Sequence, residues 1–460
     1  MVFSTLLSVA TMVAALPIPG FLLEEPLQDS FYDAPDNLSD LANGEVYDQR
    51  QVIPDLELQL SFSEVYQIAY KTTNTQGEDS HTITTVFKPL SPASEQRLFS
   101  YQIWEDSDEL NCSPSYTLMK GLLAPDQITG VLDTAAAIAF GLSQGWYVTV
   151  PDHEGPRSAF IAGYEQGQAG LDGIRATENF LGFDQDTPVT LYGYSGGASA
   201  STWMANLHST YAPELNIVGA AYGGTPIDII ATMDYLDRDD RAFSGFVIGA
   251  CAGILHAYPE QNETVWPLLY PSFKDKLNQI DTPDNCILTE VLLDGWTEYH
   301  TQAYEPLLSN PTVLDVFHHE SLLNNVSNGV VTYPTFPRYI FHADEDEIIP
   351  AGAVRQYVEQ QCEKGANIQY VPWKGGSHIE IEYLGIPDAF QFLIQAFDGN
   401  TPQVKCGTPN NDVLTLASKT VSAVIGQPIV DIVNGVLNFA HDGYKVVFDP
   451  STPYEEGQLP

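Results

Sequence analysis

Gly193-Tyr194-Ser195-Gly196-Gly197 follows an apolar run (Val189, Leu191, Tyr192) and precedes a helix-like stretch over residues 198–207. Together these segments describe a strand that turns abruptly into a helix, with a serine at the turn. Such a nucleophile elbow lifts the hydroxyl clear of the backbone, and glycines two residues to either side let neighbouring segments approach without a Cβ clash. The helix N-terminus turns free N–H groups and a favourable dipole toward an oxygen that gains negative charge. In a chain of 460 residues with 35 glycines, the five-residue pattern alone is a weak signal. The strand before it and the helix after it carry the inference that Ser195 is a nucleophile.

Outward from the elbow, strand and helix alternate. Residues 81–89, 98–104 and 146–150 read as strands, and residues 169–181 as an amphipathic helix feeding the strand before Ser195. A strand at 217–221 ends at Gly223-Gly224-Thr225-Pro226, after which the rhythm stops. It resumes with a strand at 338–343, a helix at 351–364, a strand at 368–372 and a final helix at 387–397. This is an α/β chain with a mostly parallel sheet, interrupted once. Apolar, aromatic stretches such as residues 246–255 give the interruption the character of a cap over a site, and a helical enlargement of the core is the alternative.

A serine needs a base to take its proton, and the base needs an acid to fix its tautomer. In sheets with this elbow the chain order is Ser, then Asp or Glu, then His, each after a late strand. The strand at 338–343 runs into Asp344-Glu345-Asp346-Glu347, and the strand at 368–372 runs into Gly375-Gly376-Ser377-His378. His378 is the candidate base. His153 precedes the elbow, His318 and His319 fall in the interruption, and His342 lies inside a strand. Asp346 is preferred as the acid because it lies past the strand end, with Asp344 as the alternative. The oxyanion hole needs two backbone N–H groups: Gly196, directly after the nucleophile, and Asp106, in the loop after the strand at 98–104.

Composition bounds the partners. Sixty Asp and Glu against 18 Lys and Arg leave a formal charge of -42, which repels nucleic acid and anionic headgroups and suggests tolerance of acidic surroundings. Residues 1–23 carry no charged side chain, and the apolar stretch 6–16 ends at Pro17 and Pro19, as in a secretory signal. No later segment reads as an integral membrane span. Sequons at Asn37, Asn262 and Asn325, and a weaker one at Asn111, fit an extracellular address. Five cysteines suggest two disulfides and one free thiol, with the pairing open; no CxxC spacing points to a metal.

With these residues in place, the chain resembles the fungal secretory lipase family. The matching motifs include Ser100-Tyr101-Gln102 with Glu105-Asp106, Cys112-Ser113-Pro114-Ser115-Tyr116, Asp152-His153-Glu154-Gly155, Gly223-Gly224-Thr225-Pro226, Asp346-Glu347-Ile348-Ile349-Pro350 and Cys406-Gly407-Thr408-Pro409. They span residues 60 to about 410. The resemblance implies an α/β-hydrolase fold with a mostly parallel central sheet and an inserted, mainly helical cap. It implies Ser195 as nucleophile, Asp346 as acid, His378 as base, and Asp106 and Gly196 as oxyanion donors. It pairs Cys112 with Cys286 and Cys362 with Cys406, leaving Cys251 free. The expected organisation is a signal peptide at 1–20, core at 21–226, cap at 227–332, core again at 333–410, and a flap or tail at 411–460. The activity implied is cofactor-free, metal-free hydrolysis of neutral lipid esters by a secreted enzyme at an oil–water interface, with the oligomeric state left open. Carboxylesterase or acyltransferase activity, a serine peptidase and a non-catalytic lipid-binding protein are the competing readings.

Overall fold

The computed structural model describes residues 17–55, 62–120, 128–238, 242–280, 305–402 and a few between and beyond, namely 286, 287, 291, 295, 297–299, 302, 406, 407 and 427. Most of the expected signal segment and nearly all of the C-terminal tail lie outside the described residues.

Ten strands form one sheet: β1 (Ile18–Pro19), β2 (Val46–Ile53), β3 (Phe62–Thr73), β4 (Asp79–Pro89), β5 (Leu98–Gln102), β6 (Tyr147–Pro151), β7 (Val189–Tyr194), β8 (Ile217–Gly223), β9 (Arg338–Ala343) and β10 (Ile368–Trp373). Their spatial order is β1-β2-β3-β4-β6-β5-β7-β8-β9-β10. From β6 to β10 all neighbours are parallel, whereas β2, β3, β4 and β6 pair antiparallel. Every residue of β5, β7 and β9 is buried, as expected of parallel strands covered by helices on both faces. Two strands that no expected run announces, β2 and β3, extend the sheet beyond β4. These strands pair antiparallel at the less covered side, where Gln49, Arg50 and Gln51 of β2 remain accessible.

Alternate residues supply the two layers. Phe99, Tyr101, Tyr192, Tyr194 and Phe341 face the helices Ile128–Ser143 and His378–Phe397, where Phe140, Phe390 and Leu393 complete one core. Phe140 and Phe390 stack with centroids 4.0 Å apart. Burying one such ring contributes about 1.5–3 kcal/mol. Leu98, Val189, Leu191 and Tyr222 face the opposite way, toward Leu171, Trp203, Met204 and Tyr357 on the helices Gly163–Leu181, Ser195–Tyr211 and Ala351–Glu363.

The last helix begins at His378, well before the expected start at 387, and carries Pro387 inside it. Ser377 caps it: its side chain accepts from Glu380 N, and the Glu380 carboxylate accepts from Ser377 N. An internal proline costs about 3 kcal/mol, but the fully buried Ile386, Ala389, Phe390 and Leu393 offset it.

Between β8 and β9 the described residues are mainly helical, in segments that include Ile229–Leu236, Gly245–Ala257, Pro271–Ile280 and Pro311–Glu320. Met233, Leu236, Phe243, Val247, Ile248 and Phe273 form a separate apolar cluster that reaches Phe160, Ile348 and Ile349 of the sheet's loops. Disulfides join Cys112 to Cys286 and Cys362 to Cys406, and Cys251 is free and buried. No helix among the described residues is long and apolar enough to cross a membrane.

Candidate active site

The chain reverses its winding at β5, whose neighbours β6 and β7 lead away in opposite directions. The crevice beyond the carboxyl ends of β5 and β7 is where such sheets bind ligands. Asp106 follows β5, and Ser195 follows β7 directly as the first residue of its helix. Glycine is required here for close approach. A Cβ on Gly197 would lie 2.1 Å from the Gln102 carbonyl oxygen, and one on Gly196 would lie 1.6 Å from Asp106 Oδ1. The β5 loop is thus pressed onto the start of the helix. Ser195 and Asp106 themselves hold left-handed backbones, at φ 52° and 47°. Each costs about 1–3 kcal/mol in a non-glycine residue and survives only where its surroundings enforce it.

Ser195 Oγ lies 2.9 Å from His378 Nε2, and His378 Nδ1 lies 2.7 Å from Asp346 Oδ2. Asp346 Oδ1 accepts from the backbone N–H groups of Ile348 and Ile349 at 2.9 and 2.7 Å. That divides the carboxylate's work: one oxygen is held by the turn, and the other faces the imidazole. Burial opposes the Asp346 carboxylate, but the His378 charge and hydrogen bond outweigh it and hold the carboxyl below its usual range. Burial likewise opposes the His378 imidazolium, and Asp346, followed by Glu347 and Asp106, raises it above the usual imidazole value. Asp344, the alternative acid, instead reaches the exposed Arg355 at 3.1 Å.

Four supporting contacts escape a sequence reading. Glu347 accepts from His378 N at 2.9 Å, the Tyr194 hydroxyl donates to the His378 carbonyl at 2.6 Å, and the Tyr235 hydroxyl donates to the Asp346 carbonyl at 2.8 Å. His342, set aside as a strand residue, lies 3.5 Å from Asp346 Oδ2, with its Nε2 3.1 Å from the Ile349 carbonyl. Burial lowers its pKa, so it braces the acid as a neutral ring. Only Tyr194 carried a signal, as the elbow's second residue.

Two apolar cavities, of about 50 and 90 Å³, both include Ser195 and Asp106 in their walls. The first runs along Ile229, Met233, Leu236 and Ala250, and the second along Trp104, Phe243, Val291 and Tyr383; Phe246 and Ile348 line both. Among the described residues no cluster of His, Cys, Asp or Glu is arranged to hold a metal ion.

The sequons separate. Asn37 and Asn262 are exposed. Asn325 is only 3% exposed, and its amide donates to the His319 and Ser321 carbonyls at 2.6 and 2.9 Å. The folded chain does not present it to a glycan, which corrects its assignment as a glycosylation candidate. Asn111 is buried as well.

A family model described as secretory lipase matches residues 128–405. Lipase A of Moesziomyces aphidis is 38% identical over 432 residues, 94% of this chain and 93% of its own length. A secreted triacylglycerol lipase of Malassezia furfur is 30% identical over 446 residues, covering 94% of this chain and 93% of its own. Among solved structures, lipase A of Candida antarctica in its closed state superposes with a TM-score of 0.85 at 38% identity, covering 90% of this chain and 96% of that one. The rice cell wall degrading esterase LipA of Xanthomonas oryzae, at 14% identity and a TM-score of 0.57, shares the fold alone.

Proposed function

The chain belongs to the secretory lipase family, and from that premise we propose that it hydrolyses fatty acyl esters of the triacylglycerol type with Ser195 as nucleophile, His378 as base and Asp346 as acid. The observation that carries the assignment is the unbroken hydrogen-bonded series from Ser195 to His378 to Asp346, at 2.9 and 2.7 Å, on the wall of apolar cavities. Ser195 Oγ attacks the ester carbonyl while His378 Nε2 takes its proton, and Asp346 holds the other ring nitrogen as the donor. The carbonyl electrons collect on an oxyanion that accepts from the N–H groups of Gly196 and Asp106. Collapse expels the alcohol, protonated by His378, and leaves Ser195 acylated. Water, deprotonated by the same ring, then attacks the acyl-enzyme and releases the fatty acid. No step calls on a cofactor.

The cavity along Ile229, Met233, Leu236 and Ala250 suits an acyl chain, since its walls are apolar and bury methylenes at about 0.8 kcal/mol each. These walls come from the segment 227–332, which acts as a cap over the site, and the uncharged N-terminal stretch acts as a secretion signal. The exposed Trp266 and Tyr270 of the cap suit contact with an oil surface, and the charge of -42 favours neutral glycerides over anionic phospholipids. Hydrolysis of emulsified long-chain triacylglycerol, set beside a soluble short-chain ester, tests this reading. A lipase turns over the emulsion, whereas activity confined to the soluble ester makes the protein a carboxylesterase.

A further inference from the structure

Behind the loop that carries Asp106 lies a knot of acids unlike anything the triad requires. Glu105, Asp106, Asp152 and Glu154 are each no more than 3% exposed. Glu154, on the turn after β6, accepts from Ser107 N through Oε2 at 3.3 Å, and its carboxyl also faces the Asp106 N–H. Its Oε1 has no hydrogen-bond partner. The Glu105 carboxyl lies beside the Glu154 N–H and the Ser113 hydroxyl without closing a well-formed hydrogen bond to either. Among the described residues no Lys, Arg or His forms an ion pair with either glutamate. The ring of neighbouring His153 bonds the Ile103 carbonyl at 2.8 Å and is kept neutral by burial.

We propose that Glu105 and Glu154 share one proton and that the pair positions the oxyanion loop, anchoring Ser107 N–H while leaving Asp106 N–H to the substrate. The proposal rests on the hydrolase reading above. Two bare carboxylates cannot stand together in a dry site without a cation, so one keeps its proton and the pair titrates as a unit. Burial first raises both carboxyls well above their usual range, and the charge of Asp152 beside Glu105 and that of Glu105 beside Glu154 add to it. The shared proton also limits the charge that Glu154 turns on the Asp106 N–H. Once that proton is lost, a full carboxylate competes with the oxyanion for the same donor, and turnover falls at alkaline pH. The groups that bear on this titration are Asp106 and Asp152 beside the pair, and His378 across the site from Asp106.

Glu154→Gln tests it. The amide keeps a carbonyl acceptor for Ser107 N–H and donates to Glu105 with no proton to lose. The wild type and the variants Glu154→Gln, Glu154→Ala and Asp106→Asn are compared on a soluble p-nitrophenyl ester between about pH 5 and 9. The pair predicts that Glu154→Ala loses kcat about a hundredfold, the scale of one missing oxyanion donor, with KM little changed. Glu154→Gln recovers most of that loss at neutral pH and moves the alkaline decline up by at least one pH unit. The infrared C=O stretch of a protonated carboxyl, present in the wild type at about pH 7, weakens in Glu154→Gln; this readout stands whether or not Glu154→Ala folds. An alkaline decline that stays in place in Glu154→Gln and disappears in Asp106→Asn assigns the titration to Asp106 and overturns the pair. Equal losses in the Gln and Ala variants overturn it too. Ser195→Ala serves as the separate control: undiminished hydrolysis there defeats the hydrolase reading itself, whatever the Glu154 variants do.

Discussion

Replacing Asp346 by Asn isolates the proton bookkeeping of the triad from its architecture. The asparagine carbonyl can keep the two bonds from Ile348 and Ile349 N, at 2.9 and 2.7 Å, so the turn retains its anchor. Its amide then faces His378 Nδ1 across a gap of 2.7 Å. Two donors cannot share that gap, so the ring must present Nδ1 as an acceptor and carry its proton on Nε2. The nitrogen that faces Ser195 at 2.9 Å becomes a donor and cannot take the hydroxyl proton. A base in the wrong tautomer costs about 10⁴ in kcat, equivalent to about 5.4 kcal/mol of barrier. The assay is steady-state ester hydrolysis near neutral pH, with thermal unfolding recorded alongside to confirm that the fold survives. Asp344→Asn is the matched control, because it disturbs only an exposed pair with Arg355, and it should alter kcat by less than about twofold. The reasoning is refuted if Asp346→Asn keeps more than about a tenth of wild-type kcat while remaining folded, and more decisively if Asp344→Asn suffers the larger loss.

Further outcomes follow from the charges and cross-links. In the free enzyme the raised His378 pKa means that kcat/KM falls with acidification through a midpoint above the ordinary imidazole value of about 6.5; a midpoint below it in a pH–rate profile contradicts the ionic surroundings described. Stability runs the other way. Burial raises Asp106 and Glu165 to about 7, so the folded chain binds more protons than the unfolded chain between about pH 4 and 7. Their contribution is full below the unfolded-state pKa and declines as pH rises through the folded value. Tm by calorimetry should therefore be higher near pH 5 than near pH 8, and the reverse order counts against buried neutral carboxyls. Removing the Cys112–Cys286 link, which spans 174 positions, with paired serine substitutions should cost about 2–5 kcal/mol in denaturant unfolding; an unchanged midpoint would mean the link bears no load.

The parts legible in the sequence are those whose cause is local. The elbow is visible because Gly193, Ser195 and Gly197 sit between an apolar strand and a helix, and each triad candidate lies just beyond a strand whose apolar run identifies it. What escaped depends on partners distant in the chain. The strand Val46–Ile53 is polar because it lies near an edge of the sheet, so no apolar run announces it. The helix His378–Phe397 starts early because Ser377 and Glu380 cap it and the sheet buries its face, which a reading governed by Pro387 misses. His342 reads as a strand residue and is one, yet a turn from further along the chain brings Asp346 to within 3.5 Å of it. Glu105 and Glu154 look like solvated loop acids until two separate strand ends converge and dehydrate them. Asn325 carries a valid sequon that helix packing hides.

The central claim is that Ser195, activated through His378, performs ester hydrolysis. Its most direct test is intact-protein mass spectrometry after exposure to a long-chain alkylphosphonate ester, with wild type, Ser195→Ala and His378→Ala compared. The account predicts one covalent adduct on wild type, mapped to Ser195 and accompanied by loss of hydrolysis, with none on Ser195→Ala and greatly slowed labelling of His378→Ala. Labelling at another residue with activity retained, or undiminished hydrolysis by Ser195→Ala, would contradict it.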